Sequence, residues 1–145
     1  MKITTRGRYA LRASLALARL GKSGKPVSIH TLSEQESISS VFLEQIFFRL
    51  RKAGIVESTR GPGGGFCFAL PLEEITVRQI IDAAGENLDL TSCFKRHEDC
   101  KYSGTCSAHD IWDNLSGLIN NYFDGITLAA ILKESASKKP AEIQL

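Results

Sequence analysis

The chain has 145 residues, enough for one ordinary domain or a small domain with an appended element, and too few for two large ones. Hydrophobic residues make up 43% and charged residues 23%, which argues against a disordered chain, and no apolar run approaches the roughly 20 residues that span a bilayer, which argues against a membrane protein. The net charge of +2 hides an asymmetry: residues 1–62 carry 11 Lys or Arg against 4 Asp or Glu, a balance of +7, whereas residues 63–145 carry −5, so the basic front half suggests an anionic partner such as nucleic acid.

The opening Met1 to Arg8 is charged, and Arg12 and Arg19 interrupt the apolar stretch behind it, so the start does not read as a signal peptide and a cytoplasmic protein is expected. Tyr9 to Leu20 is rich in helix formers and ends at Gly21, giving a first helix. Ser28 is positioned to cap a short second helix, Ile29 to Glu36, and Ser37 to Ser40 supplies a turn and a second cap. A third helix is expected from about Ser40 to Ala53, with Leu43, Ile46, Phe47 and Leu50 as its core stripe and Gly54 at its end. Two helices joined by a tight polar turn form a helix-turn-helix.

After Gly54 the period changes. Ile55 to Arg60 and Phe66 to Leu70 are strand-like and flank Gly61-Pro62-Gly63-Gly64-Gly65, a hairpin with a glycine tip, so the chain reads as a winged helix. Thr76 and Gln79 have capping-box spacing and open a fourth helix, Val77 to Ala84. Residues 86–105 lack periodicity and hold the clustered cysteines. From Ser107 onward, Ile111, Trp112, Leu115, Leu118, Ile119, Tyr122 and Phe123 form a wide apolar stripe on a helix of about four to five turns. Such a stripe needs a partner, and a two-fold dimer mate is favoured over its own domain, with Trp112, Leu115, Ile119 and Tyr122 at the interface. Thr127 caps a short helix through Leu132, and the polar tail from Glu134 is expected to be disordered. The expected organisation is a DNA-binding unit over 1–85, a ligand loop over 86–109, a dimerisation helix with a short terminal helix over 107–133, and a tail over 134–145. The fold class is mainly α with a small β-hairpin.

Cys93, Cys100, Cys106 and His109 follow a C-x6-C-x5-C-x2-H pattern, offering three thiolates and an imidazole from one loop and the start of one helix. Four such donors suit zinc or an iron-sulfur cluster. Structural zinc sites commonly use C-x2-C knuckles, and the wider gaps here favour the larger cluster. His97 lies between the ligands beside charged neighbours and reads as solvated, and Cys67, between Phe66 and Phe68, reads as a small strand side chain. No nucleophile constellation, P-loop or dinucleotide fingerprint is present, since the glycine-rich tip lacks the Lys-Ser/Thr of a phosphate cradle, and an enzyme is not expected.

Thr5-Arg6-Gly7-Arg8-Tyr9-Ala10-Leu11, Phe42-Leu43-Glu44-Gln45-Ile46-Phe47, Arg49 to Val56 and Arg60-Gly61-Pro62-Gly63-Gly64-Gly65-Phe66 resemble the Rrf-two family of winged-helix regulators. The C-terminal cysteines and Ile126-Thr127-Leu128 are similar to its IscR-like, iron-sulfur cluster regulator branch. The resemblance spans residues 1 to about 133. It implies a homodimer that binds a palindromic promoter element of double-stranded DNA and holds one 2Fe-2S cluster per subunit through Cys93, Cys100, Cys106 and His109. This chain has one extra residue between its first two cysteines. A related branch of nitric-oxide sensors holds a 4Fe-4S cluster with an acidic residue near the start of helix one, where this chain has Arg8, which cannot ligate iron.

In a winged helix the third helix enters the major groove and the wing lies over the minor groove. Ser39, Ser40, Glu44 and Gln45 are the candidate base readers, with capping as an alternative role for the two serines. Arg60 is placed for a narrow minor groove, and Arg8, Tyr9, Arg49, Arg51 and Lys52 for phosphate contacts or solvation. Two alternatives stand beside the cluster-controlled regulator: the same DNA-binding fold governed by zinc or thiol redox chemistry, and an iron-sulfur carrier or assembly protein.

Overall fold

The computed structural model describes residues 1–94, 100–102 and 104–138. Among these residues six α-helices, α1 (Thr5–Leu20), α2 (Ile29–Glu36), α3 (Ser40–Lys52), α4 (Val77–Ala83), α5 (His109–Asp124) and α6 (Leu128–Ser137), accompany one antiparallel pair, β1 (Val56–Thr59) and β2 (Gly65–Phe68). The mainly helical winged-helix class expected from the sequence is the one observed.

Local chemistry explains most boundaries. Ser28 accepts from the Thr31 N–H at 3.1 Å, and Ser39 from the Phe42 N–H at 3.1 Å, so each caps its helix. Between α2 and α3, Ser37 turns into the left-handed region at φ 54°, and the Ile38 N–H returns to the Ser33 carbonyl, which drops Ile38 into the core. The expected capping box at α4 is complete, with Thr76 and Gln79 bonding each other's backbone N–H groups.

The wing strands are shorter than expected, Val56–Thr59 and Gly65–Phe68, and two helix boundaries differ by four or more residues. α1 begins at Thr5, four residues before Tyr9, because its first turn is held by Glu86 from across the fold. α6 continues to Ser137 instead of stopping at Leu132; Lys133, Glu134 and Ala136 favour helix there, and Lys138 pairs with Glu134 at i,i+4. Residues 134–137 are therefore helical, and the remaining tail, 139–145, lies outside the described residues.

The core packs the small-residue face of α1, Ala10, Ala13 and Ala16 with Leu17, against Leu32 of α2 and Leu43, Ile46, Phe47 and Leu50 of α3. Alanines allow close helix approach, so the bulky side chains of α3 fill the space beneath. Phe47 meets Phe66 at a ring separation of 4.9 Å, which ties α3 to the wing. The wing pairs Val56 with Phe68 and Thr59 with Gly65, and Phe66 also exchanges two backbone hydrogen bonds with Val27. Gly65 is required there, because a Cβ would overlap the Val27 backbone.

α5 leaves the domain and returns. Phe123 and Ile126 pack beside Val77, Ile81 and Leu88, and the start of α6 is fastened to the start of α4 by Val77 N–H to Ile126 and Leu128 N–H to Ile75 bonds, both 2.9 Å. The rest of α5 leaves its apolar stripe uncovered in the single chain.

Candidate functional site

The outward face of α3 is the complement of its core stripe. Val41, Glu44, Gln45, Phe48, Arg49, Arg51 and Lys52 are exposed, and Ser40 is half-buried at the first turn. Arg6, Val41, Glu44, Gln45, Phe48 and Arg49 together line an open groove of about 440 Å³ on this face. Arg51 donates to the Ser58 hydroxyl of β1 at 3.2 Å and lies 5.8 Å above the Phe48 ring, so its guanidinium bridges α3 and the wing.

The expected contact residues separate by what already holds them. Ser39 is occupied as the α3 cap, while Glu44 and Gln45 point outward with no side-chain hydrogen bond among the described residues. Tyr9 packs edge-on to Phe42 at 5.7 Å with Arg12 above it, so its ring braces α1 against α3. Arg8 reaches back to Thr5 at 3.3 Å, and Arg60 is exposed where the wing tip begins. Val41, Phe48 and Arg6 join this face although sequence reasoning does not single them out. The complement of the Leu43, Ile46, Phe47 and Leu50 stripe already marks the first two.

A second feature lies between α4 and α5. Cys93 sits in a single 3-10 turn, Ser92–Phe94; Cys100 precedes a turn closed by the Thr105 N–H on the Tyr102 carbonyl at 3.0 Å; and Gly104, at φ 82°, redirects the chain towards Cys106. The His109 N–H then donates to the Cys106 carbonyl at 3.1 Å, which starts α5. All four expected donors, Cys93, Cys100, Cys106 and His109, line one small cavity of about 60 Å³ whose other walls are Tyr102, Gly104 and Trp112. The three thiols are unpaired with one another. His109 Nδ1 lies 3.7 Å from a carboxylate oxygen of Asp110. Cys67 lines a different, larger and mostly apolar cavity behind the wing, with Leu17, Leu70 and Leu132. His97 lies outside the described residues.

The donor set surrounds the cavity instead of meeting at a point. Among the described residues, no three His, Cys, Asp or Glu side chains converge closely enough to hold a single metal ion. Three soft sulfur donors and an imidazole around a space walled by two aromatic rings are chemically suited to a group larger than one ion.

The model of the Rrf2 family, described as iron-dependent transcriptional regulators, matches residues 3–134. The chain belongs to the Rrf2 family. Within it, the chain is 40% identical over 144 residues to the transcriptional regulator IscR of Aliivibrio salmonicida, covering 99% of this chain and 84% of that protein. It is 41% identical over 135 residues to IscR of Vibrio atlanticus, covering 93% and 77%. Among solved structures, T. potens IscR superposes with a TM-score of 0.76 at 29% identity, covering 100% of this chain and 97% of that one. CymR, the global cysteine regulator of B. subtilis, superposes with a TM-score of 0.77 at 26% identity, covering 92% of this chain and 98% of that one.

This Rrf2 chain is thus an IscR-like transcriptional regulator, and its relatives and fold are those of DNA-binding regulators and not of enzymes. No helix among the described residues is long and apolar enough to cross a membrane.

Proposed function

We propose that the protein is a homodimeric regulator whose affinity for palindromic promoter DNA is set by a 2Fe-2S cluster held by Cys93, Cys100, Cys106 and His109. The observation that carries this reading is the gathering of those four side chains, drawn from a 3-10 turn, the ends of a second turn and a helix start, around one cavity. A two-iron cluster takes two protein donors at each iron, so its ligands lie further apart than those of tetrahedral zinc, in keeping with donors that ring the space. When bound, such a cluster supplies a redox-sensitive and dissociable crosslink between the 3-10 turn and α5. Arg8 stands exposed on α1 and cannot serve as a fourth iron ligand, which favours the two-iron form over a 4Fe-4S one.

The protein's own side chains then transmit the change. Cys93 lies seven residues after Glu86, whose carboxylate grips the first turn of α1, and Arg6 of that turn reaches the Gly85 carbonyl at 3.4 Å. Holding or releasing the loop alters how firmly α1 and α3 are presented to DNA.

The uncovered stripe of α5 supports a dimer. Ile111, Leu118 and Tyr122 are each more than 60% exposed, Trp112 and Leu115 are 40% exposed, and Ile119 is half-buried. An apolar face of this extent is best accommodated by a two-fold mate, which would also place two recognition helices at spaced half-sites.

Anaerobic purification tests the cofactor. We expect coloured protein with iron and acid-labile sulfide in equal amounts and visible absorption lost on oxidation. Colourless protein with stoichiometric zinc would replace the cluster with zinc, and metal-free protein whose DNA affinity follows thiol oxidation would replace it with thiol chemistry. Failure to bind any duplex would favour a carrier or assembly role.

A further inference from the structure

The outward face of α3 carries two exposed apolar side chains, Val41 and Phe48. Val41, in the first turn, is 66% exposed, and no ring contact or hydrogen bond among the described residues accounts for it. A β-branched residue is a mediocre helix former, so Val at a solvent-facing helical position gains little in the free protein. Phe48, the other large apolar residue of this face, is 55% exposed and has the Arg51 guanidinium 5.8 Å above its ring.

The surroundings define what would complete the site. Arg6 and Arg49 line the groove, and Arg51 and Lys52 continue the exposed basic residues of the same helix, which fits a polyanion. Glu44 and Gln45 line it as well. A carboxylate is repelled by phosphate and finds hydrogen-bond donors on DNA only at base edges, such as the cytosine amino group, while an amide pairs with adenine. Val41 precedes these two by one helical turn on the same face, so it meets the base step beside theirs. The major groove offers one apolar group at its floor, the C5 methyl of thymine.

We propose that Val41 reads a thymine methyl in each half-site, next to the base pairs contacted by Glu44 and Gln45. The inference rests on the DNA-binding reading above and adds a base preference to it. Covering one methyl corresponds to about fourfold in affinity.

The test uses full-length protein purified anaerobically. Duplexes are selected from a randomised pool, and each thymine of the selected half-site is then replaced in turn by deoxyuridine, which removes only the methyl. Wild-type protein should lose about fourfold at one thymine per half-site and little at the others. Val41→Ala, an exposed change that favours the helix, should bind the thymine duplex several-fold more weakly and show no further loss with deoxyuridine at that position. Equal wild-type affinity for every deoxyuridine duplex, or the same deoxyuridine penalty in Val41→Ala, would overturn the inference while leaving DNA binding intact. Protein that selects no duplex would overturn the DNA reading and this inference together.

Discussion

The carboxylate of Glu86 caps the first turn of α1 by accepting the backbone N–H of Gly7 at 3.1 Å. It also accepts the Thr4 N–H at 3.0 Å and the Thr4 hydroxyl, so a negative side chain 79 residues away satisfies the helix start that no local cap serves. Glu86 is held in place by the end of α4, where Gly85, at φ 80°, and Glu86 return N–H bonds to Asp82 and Ile81. Gly7 lies against it on the other side, where a Cβ would stand 2.6 Å from the Glu86 Cγ and the carboxylate would have to shift.

Gly7→Ala should therefore displace the cap. Losing the cap costs about 1 kcal/mol, and alanine regains up to about as much as the better helix former, so urea unfolding should show Gly7→Ala no more stable than wild type. A midpoint raised by the full helix-propensity gain would show that Glu86 swings aside at no cost.

The same cap makes acid stability depend on Glu86. Burial raises its pKa, but hydrogen bonds from Thr4 and Gly7 together with the Arg6 charge outweigh burial, and the net value lies below the ordinary 4.5. A carboxyl with a depressed folded-state pKa contributes stability that is present above its unfolded value and lost as pH falls through the folded one. The stability gap between wild type and Glu86→Gln should be constant near neutrality and shrink below about pH 4.5. Urea titrations of both proteins at neutral and acid pH measure it; a gap that widened in acid would contradict the assignment.

The α5 stripe gives a third outcome. Leu115 and Leu118 are exposed, so Leu115→Glu with Leu118→Glu puts two charges in the middle of the apolar face without disturbing the single chain, whereas Ile119 is half-buried and a charge there would threaten the fold. Sedimentation should show a monomer that retains its helical circular dichroism. A dimer of unchanged stability would place the interface elsewhere.

Much of this architecture is legible in the sequence because its signals are local. Ser28, the Thr76-Gln79 box and the core stripe of α3 each act within one or two turns, and the C-x6-C-x5-C-x2-H run keeps the four donors within 17 residues. The start of α1 is not legible, since Thr5-Arg6-Gly7-Arg8 shows no apolar period and its stabilising partner lies across the fold. The full length of α6 is hidden because its polar final turns carry no apolar stripe. Sequence marks Trp112 as a dimer residue alone; its place on the wall of the thiol-lined cavity depends on how the loop folds back onto α5.

Wing geometry gives a fourth. A Cβ at Gly65 would collide with the Val27 backbone, which cannot move without breaking the two bonds between Val27 and Phe66. Gly65→Ala should cost roughly 2 kcal/mol or more and lower the melting temperature by several degrees. A wild-type melting temperature would mean that the wing does not pack against Val27 in solution.

The central claim is that the group held by the four donors governs DNA affinity, and it is tested most directly by measuring visible absorption and promoter affinity side by side for wild type and for Cys93→Ala, Cys100→Ala and Cys106→Ala. The variants should be colourless, folded and dimeric, because none of the three thiols belongs to the hydrophobic core. Their affinity should differ at least several-fold from that of anaerobic wild-type protein at one or more promoters, in step with the lost absorption. Colourless variants that match wild type at every promoter would contradict the account.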